Sequence, residues 1–199
     1  MADSATPAEV ASTARPGKSD RLIGAACDLV YRQGVERTTL ADIAEAADVP
    51  AGNVYYYFKT KNDIVAAVVQ THVEQIESAL AALEQRHRNP KTRLKALVGV
   101  VTQQRDSIAH YGCPYGSLCS ELAKGAAGSE PFAAQLMHVL LGWTERQFRS
   151  MGRRDAHDLA VELVAAYQGS AVLANALGQP EVLARQARRL ERRIETLSA

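Results

Sequence analysis

From residue 18 onward apolar side chains recur every three or four positions, and no alternating stretch long enough for a strand interrupts them. That period predicts an all-α protein. The stripe Leu22, Ile23, Ala26, Cys27, Leu29 and Val30 predicts a helix over residues 19–33, stopped by Gly34. Thr39, with Asp42 three residues later, has capping-box spacing and opens a short second helix with Ile43, Ala44 and Ala47 inward. Asp48-Val49-Pro50 breaks it, and Pro50 or Ala51 begins a very short third helix to about residue 58. Thr60 and Asp63 repeat the capping spacing and launch a long fourth helix, which ends near Asn89-Pro90.

Leu94, Leu97, Val98, Val101 and Ile108 mark a fifth helix, stopped at Gly112-Cys113-Pro114. A sixth is expected over 116–124, followed by a Gly/Ala/Ser loop. Phe132, Leu136, Leu140, Trp143 and Gln147 lie along a seventh; residues 155–177 and 180–197 read as an eighth and ninth. The expected organisation is a disordered tail over 1–17, rich in Ala, Ser, Thr and Pro, a helix-turn-helix domain over 18–62, and a larger helical domain over 63–199. No repeat of solenoid type appears.

Composition narrows the class without naming a function. A chain of 199 residues, 47% hydrophobic and 23% charged, can bury a real core. Its formal net charge is only +1, so any nucleic-acid face must be local. Cys27, Cys113 and Cys119 form no regular framework, which suits reduced thiols and a cytoplasmic location. No secretory h-region and no membrane-spanning apolar run are expected.

The informative stretch is 38–61, TTLADIAEAADVPAGNVYYYFKTK. Helix, tight break and second short helix read as a helix-turn-helix, whose second helix enters the major groove of DNA. Ala44 and Ala47 are small where the helices cross, and Val49, Val54 and Phe58 point inward. Ala51, Gly52, Asn53, Tyr55, Tyr56 and Tyr57 are left near the outer side, since successive helical side chains turn by about 100°. Asn53 suits the donor–acceptor edge of adenine, and Gly52 admits close backbone approach. The tyrosine hydroxyls, Lys59 and Lys61 suit phosphates, which position without specifying sequence. On the residues alone, an ordinary helical hairpin with Tyr55 and Phe58 as core anchors remains an alternative.

This segment resembles the N-terminal domain of the TetR family of bacterial transcriptional regulators. The likeness lies in the opening TTLADIAEAA and in Tyr55-Tyr56-Tyr57-Phe58-Lys59-Thr60-Lys61, which fits that family's Tyr-x-x-Phe-x-x-Lys signature. Gly52-Asn53-Val54-Tyr55-Tyr56 is similar to the form found in multidrug-binding members. The resemblance is strong over about residues 19–68; beyond that it is one of length and helical layout. One departure is Asp48, where the family has glycine. By the family's pattern Thr39, Ala51, Gly52, Asn53, Tyr55, Tyr56, Tyr57, Lys59 and Lys61 lie at the DNA.

The resemblance also implies a homodimer on a palindromic operator, a small-molecule effector and a pocket inside helices four to eight. His72, Tyr111, Trp143, Gln147 and Tyr167 are candidate pocket residues, although each such residue is more often a satisfied core residue than a ligand contact. In that family the last two helices form the dimer interface. Here the ninth helix carries Leu183, Ala187, Leu190 and Ile194 at heptad-like spacing between arginines. The eighth places Ala166, Ser170 and Leu173 nearby, so these seven are the expected interface.

No phosphate loop, nucleophile elbow or HExxH pair is present, so an enzyme is not expected, nor a cofactor or a metal. The rivals are an activator or a ligand-independent regulator on the same fold, and a thiol-based redox sensor using Cys113 or Cys119 with His110 nearby. The phrase from Gly112 to Leu118 is similar to one in lipophile-sensing members, which favours a structural turn there.

Overall fold

The computed structural model describes residues 17–124 and 130–197; the expected tail, apart from Gly17, and most of the Gly/Ala/Ser loop lie outside these. Among the described residues every regular element is helical. In chain order they are α1 (Lys18–Gln33), α2 (Leu40–Ala46), α3 (Ala51–Tyr57), α4 (Lys61–Arg86), α5 (Pro90–Gln103), α6 (Arg105–Tyr111), α7 (Pro114–Lys124), α8 (Glu130–Ser150), α9 (Ala156–Leu177) and α10 (Glu181–Thr196). The all-α layout is the one expected, with the fifth expected helix divided at Gln104 into α5 and α6.

Local chemistry sets most boundaries. Thr39 and Asp42 form a full capping box, with Thr39 Oγ1 accepting from Asp42 N at 3.1 Å and Asp42 Oδ2 accepting from Thr39 N at 2.9 Å. Thr60 and Asp63 do the same at the start of α4. Asn89 caps α5 through Lys91 N, and Pro90 stands in the first turn, where its missing N–H leaves no bond unmade. Gly34 at φ +86° and Gly178 at φ +63° end α1 and α9 in a conformation that side chains oppose.

α1 buries Leu22, Ala26 and Val30 against α2 and α4. α4 buries one stripe from Ile64 to Leu83 and packs on α8, so one hydrophobic cluster continues from α1 to α10. The expected division near residue 62 falls inside the first turn of α4. A smaller cluster joins α6 to α9 and α10 through Ile108, Ala109, Ala171, Ala174 and Leu183.

One expectation is corrected by the packing. Leu183, Ala187, Leu190 and Ile194 of α10 are buried within their own chain, against α5 and α9. Heptad-like spacing specifies a partner helix but not the chain that supplies it. Ser170 is buried too; Ala166 is half-buried and only Leu173 of the expected interface is well exposed, at 54%. α9 instead presents outward a stripe of Val161, Ala165, Gly169, Val172, Leu173 and Leu177. α9, 22 residues long, has a mean hydropathy of 1.2 over an 18-residue window, enough by length and composition to cross a membrane. Its inner face packs on α6, α8 and α10, so helix packing together with the bare outer stripe accounts for that character.

Candidate nucleic-acid interface and interior cavities

α2 and α3 are set at their angle by a turn at Asp48, which adopts φ +51°, the left-handed region that aspartate tolerates better than most residues. Arg21 of α1 reaches across to this turn, its Nη1 donating to Ala47 O at 3.0 Å and Asp48 O at 3.1 Å. It thereby satisfies carbonyls that the end of α2 leaves open. Sequence reasoning missed this role, because nothing in the spacing of residues 21 and 48 reveals that the two meet.

α3 is fixed from below by Val49, Val54 and Phe58, all buried. Its other faces are bare. Tyr55, Tyr56 and Tyr57 are 58%, 77% and 39% exposed, so none of the three is a core anchor and the ordinary-hairpin alternative loses its premise. Tyr56 and Tyr57 meet edge to face, their centroids 5.1 Å apart. Ala51 and Gly52 are exposed and Asn53 is partly so, on the same short helix. No atom lies within 4 Å of where a Gly52 Cβ would stand, so backbone approach there is open.

The two lysines are more tightly held than their sequence suggests. Lys59 Nζ donates to Tyr55 O at 2.7 Å, and Lys61 Nζ to Glu36 O at 2.9 Å. Each ammonium has three protons, so both keep donors for phosphate. Thr39 caps α2 as an acceptor, which leaves its hydroxyl proton to give outward. The nine residues expected at a nucleic acid thus lie on α3, its flanks and the start of α2.

The five expected pocket residues are not brought together. Trp143 Nε1 donates to Glu84 at 2.8 Å and Gln147 Nε2 to the same carboxylate at 3.3 Å, while Arg93 donates to Gln147 Oε1 at 3.2 Å. This network ties α8 to the C-terminal end of α4. His72 and Tyr111 line a separate hollow of about 390 Å³ between α1 and the α6–α7 corner. His72 contacts Gln75 Oε1 at 3.2 Å and the Tyr115 ring edge to face. Burial holds its pKa below the usual histidine value, partly opposed by the Gln75 contact.

Tyr167 borders a partly open cavity of about 50 Å³ between α5, α8, α9 and α10. Its hydroxyl donates away, to Cys113 Sγ at 3.1 Å. Burial pushes the Cys27 and Cys119 thiols up to about 11, the opposite of what a reactive thiol requires. Among the described residues no group of three or more His, Cys, Asp or Glu could hold a metal.

The hollow beneath the α6–α7 corner also joins the two ends of the molecule. Tyr31 of α1 donates to Gly112 O at 3.2 Å, and Glu121 of α7 accepts from Glu36 N at 2.9 Å. Gly34 is wanted there twice over, since its φ is positive and a Cβ would stand 3.0 Å from Glu121 Oε1.

Comparison with known proteins agrees with this arrangement. The model of the bacterial regulatory proteins of the tetR family matches residues 22–68, which run from the second turn of α1 into α4. An HTH-type transcriptional regulator from Lactococcus lactis is 28% identical over 106 residues, 52% of this chain and 54% of that protein, so the chain spans about half of that relative. TtgR, an HTH-type regulator from Pseudomonas putida, is 27% identical over 75% of this chain and 76% of its own. In fold, a TetR transcriptional regulator from Legionella pneumophila superposes with a TM-score of 0.79, covering 89% of this chain and 97% of its own at 17% identity.

Proposed function

We propose, from the premise that this chain belongs to the TetR family of bacterial transcriptional regulators, that it is a ligand-responsive repressor. It binds a two-fold-symmetric operator as a homodimer and leaves the DNA when a small molecule occupies its C-terminal helices. The observation that carries the DNA-binding half is α3, a helix anchored from one side with three adjacent tyrosines bare on the others. Asn53 reads a base edge, Tyr55, Tyr56 and Tyr57 contact backbone and groove, and Lys59, Lys61 and Thr39 hold phosphates. DNA as partner places the protein in the cytoplasm.

The bare stripe of α9 supports the dimer, with the arginines of α10 beside it as a charged rim. Two copies joined there would set their α3 helices for half-sites about one DNA turn apart, about 34 Å. Covering that DNA excludes other proteins, which is repression unless the operator lies where contact with polymerase helps. Two struts carry a signal between the ends: α4 itself, and the Tyr31–Gly112 and Glu36–Glu121 contacts. A ligand shifts the spacing only by its difference in affinity for the two forms.

A second reading, a regulator that answers to no ligand, is favoured by one observation: the apolar cavity between α5, α8, α9 and α10 is, at about 50 Å³, small against the 300 Å³ or more usual for ligand pockets. Fluorescence anisotropy of the purified protein with DNA upstream of its own gene, at stated salt, separates the two. Specific, salt-sensitive binding that some compound abolishes establishes the repressor. Binding that no compound alters establishes the second reading, and absence of specific binding in a genome-wide selection defeats both.

A further inference from the structure

We infer that the cavity between α5, α8, α9 and α10 is the effector site, and that it takes a small uncharged molecule, largely apolar, whose one hydrogen-bonding group engages Thr144. This rests on the ligand-responsive reading above. Thr144 lines the cavity, is fully buried, and its hydroxyl oxygen has no hydrogen-bond partner among the described residues. A buried hydroxyl is ordinarily satisfied, and a helical threonine has a ready acceptor in the carbonyl one turn back. The other hydroxyls at this cavity are engaged: Ser170 donates to Tyr167 O at 2.8 Å and Tyr167 to Cys113 Sγ. Thr144 is the hydroxyl left open.

The rest of the wall fixes the ligand's class. Leu97, Val101, Leu140, Leu163, Val164 and Leu190 give apolar surface, and no Asp, Glu, Lys, Arg or His lines the cavity. A charged effector would be desolvated there without a partner. Apart from the Gln186 amide at the wall, the open polar group is Thr144, which suits a hydroxyl or carbonyl, as in a monophenol or a short alcohol.

Size supplies the mechanism. At about 50 Å³ the cavity is about a third of the roughly 150 Å³ that admits benzene elsewhere. A ring therefore enters only when the surrounding helices part, so it binds the widened form better than the form described here. That difference is what a ligand needs to move an equilibrium. The displaced element is coupled to the DNA-binding end: Trp143, the neighbour of Thr144 on α8, holds Glu84 of α4 at 2.8 Å.

The test uses calorimetry on the full-length protein with phenol and with toluene, its match in shape without the hydroxyl, in wild type and Thr144→Val. The variant keeps the side-chain outline and removes an unpartnered buried hydroxyl, so its melting temperature is expected at or above wild type. Phenol is expected to bind wild type, to lose roughly tenfold in affinity in Thr144→Val, and to weaken binding of upstream DNA. Toluene is expected to change less than about twofold between the two proteins. Equal phenol affinity in both, or no binding of either probe to wild type, overturns the site. Failure of this site and failure of the underlying reading are distinct. DNA release by another compound, with neither probe bound, sinks the site alone. Phenol held through Thr144 without effect on DNA sinks its role as effector site.

Discussion

The α2–α3 hairpin and the interior between α5 and α10 treat polar groups in opposite ways. In the hairpin the polar groups near the backbone are committed: Thr39, Asp42, Arg21 and Lys59 all bond to main chain, and the three tyrosines of α3 are left to solvent. In the interior the side chains of Trp143, Gln147 and Tyr167 are committed to Glu84, Arg93 and Cys113 outside their own helices, and one buried hydroxyl, Thr144, is open. A surface that must fit a rigid duplex gains from being finished before contact. A sensor gains from being left unfinished, because a ligand can shift it only by completing something. Substitutions that affect one region and spare the other are the direct way to break this contrast.

The largest effect is expected on α3. Tyr56→Ala and Asn53→Ala should each weaken specific DNA binding by about 1–3 kcal/mol, a factor of roughly 5 to 150, in the anisotropy assay. Because Tyr56 is 77% exposed, its removal should alter unfolding stability by no more than about 0.5 kcal/mol. A loss of DNA binding matched by a loss of folding would mean that α3 is a structural element, and the contrast would fall.

Much of the hairpin was legible before the structure because its information is local. Capping boxes, the turn at Asp48 and the buried Val49, Val54 and Phe58 sit within four residues of what they act on. The signals missed are those between distant elements. Arg21 meets Asp48 across 27 positions, Glu36 meets Glu121 across 85, and Trp143 meets Glu84 across 59. The α10 seam shows the same limit from the other side: its period was right, and its partner was its own chain. His72 interrupts an apolar stripe, Trp143 lies on one with Gln147 a turn later, Tyr111 precedes a helix break and Tyr167 faces small residues; such local marks suggest burial but not common location. Thr144, the one that stayed unsatisfied, leaves no such mark, since threonine is unremarkable on a helix.

Next in size is the Trp143–Glu84 bond. Trp143→Phe keeps an aromatic ring and removes the indole N–H that Glu84 accepts, leaving a hydrogen bond to a charged group unmade. Glu84 is exposed and water can replace the indole, so a loss of about 0.5–1.5 kcal/mol in denaturant unfolding is expected. If α8 signals to α4 through this bond, the variant should also blunt DNA release by an effector while binding that effector normally. A variant that instead loses effector binding would put Trp143 in the pocket after all.

A smaller effect, of favourable sign, is expected at Asp48. Its φ of +51° favours glycine, and the Asp48 carboxylate is almost fully exposed and only 3.8 Å from Arg21, so little is lost with it. Asp48→Gly should stabilise by up to about 1 kcal/mol, offset in part by the freer unfolded chain. The Arg21 bonds to main-chain carbonyls remain. A clear fall in melting temperature would mean that the carboxylate, and not the backbone, is what Arg21 holds.

The smallest effect, at His72, tests the junction between the two regions. Its imidazole is held below the usual value chiefly by burial, with Tyr115 and Gln75 in contact and Tyr31, Arg32, Arg37, Tyr111 and Glu121 around the same hollow. An unfolded chain therefore takes up a proton near pH 6.5 that the folded chain refuses. Stability from this group is fully present above about pH 6.5 and declines as pH falls through that value. His72→Phe keeps a ring against Tyr115 and has nothing to titrate. The difference in melting temperature between wild type and variant should shift against wild type on going from about pH 7.5 to 5.5, where most carboxylates are still ionised. A difference that stays constant over this interval would mean that the imidazole is as well solvated folded as unfolded, and that the hollow between α1 and the α6–α7 corner opens freely to water. The second strut between DNA and sensor would then be a loose contact, leaving α4 to carry the signal alone.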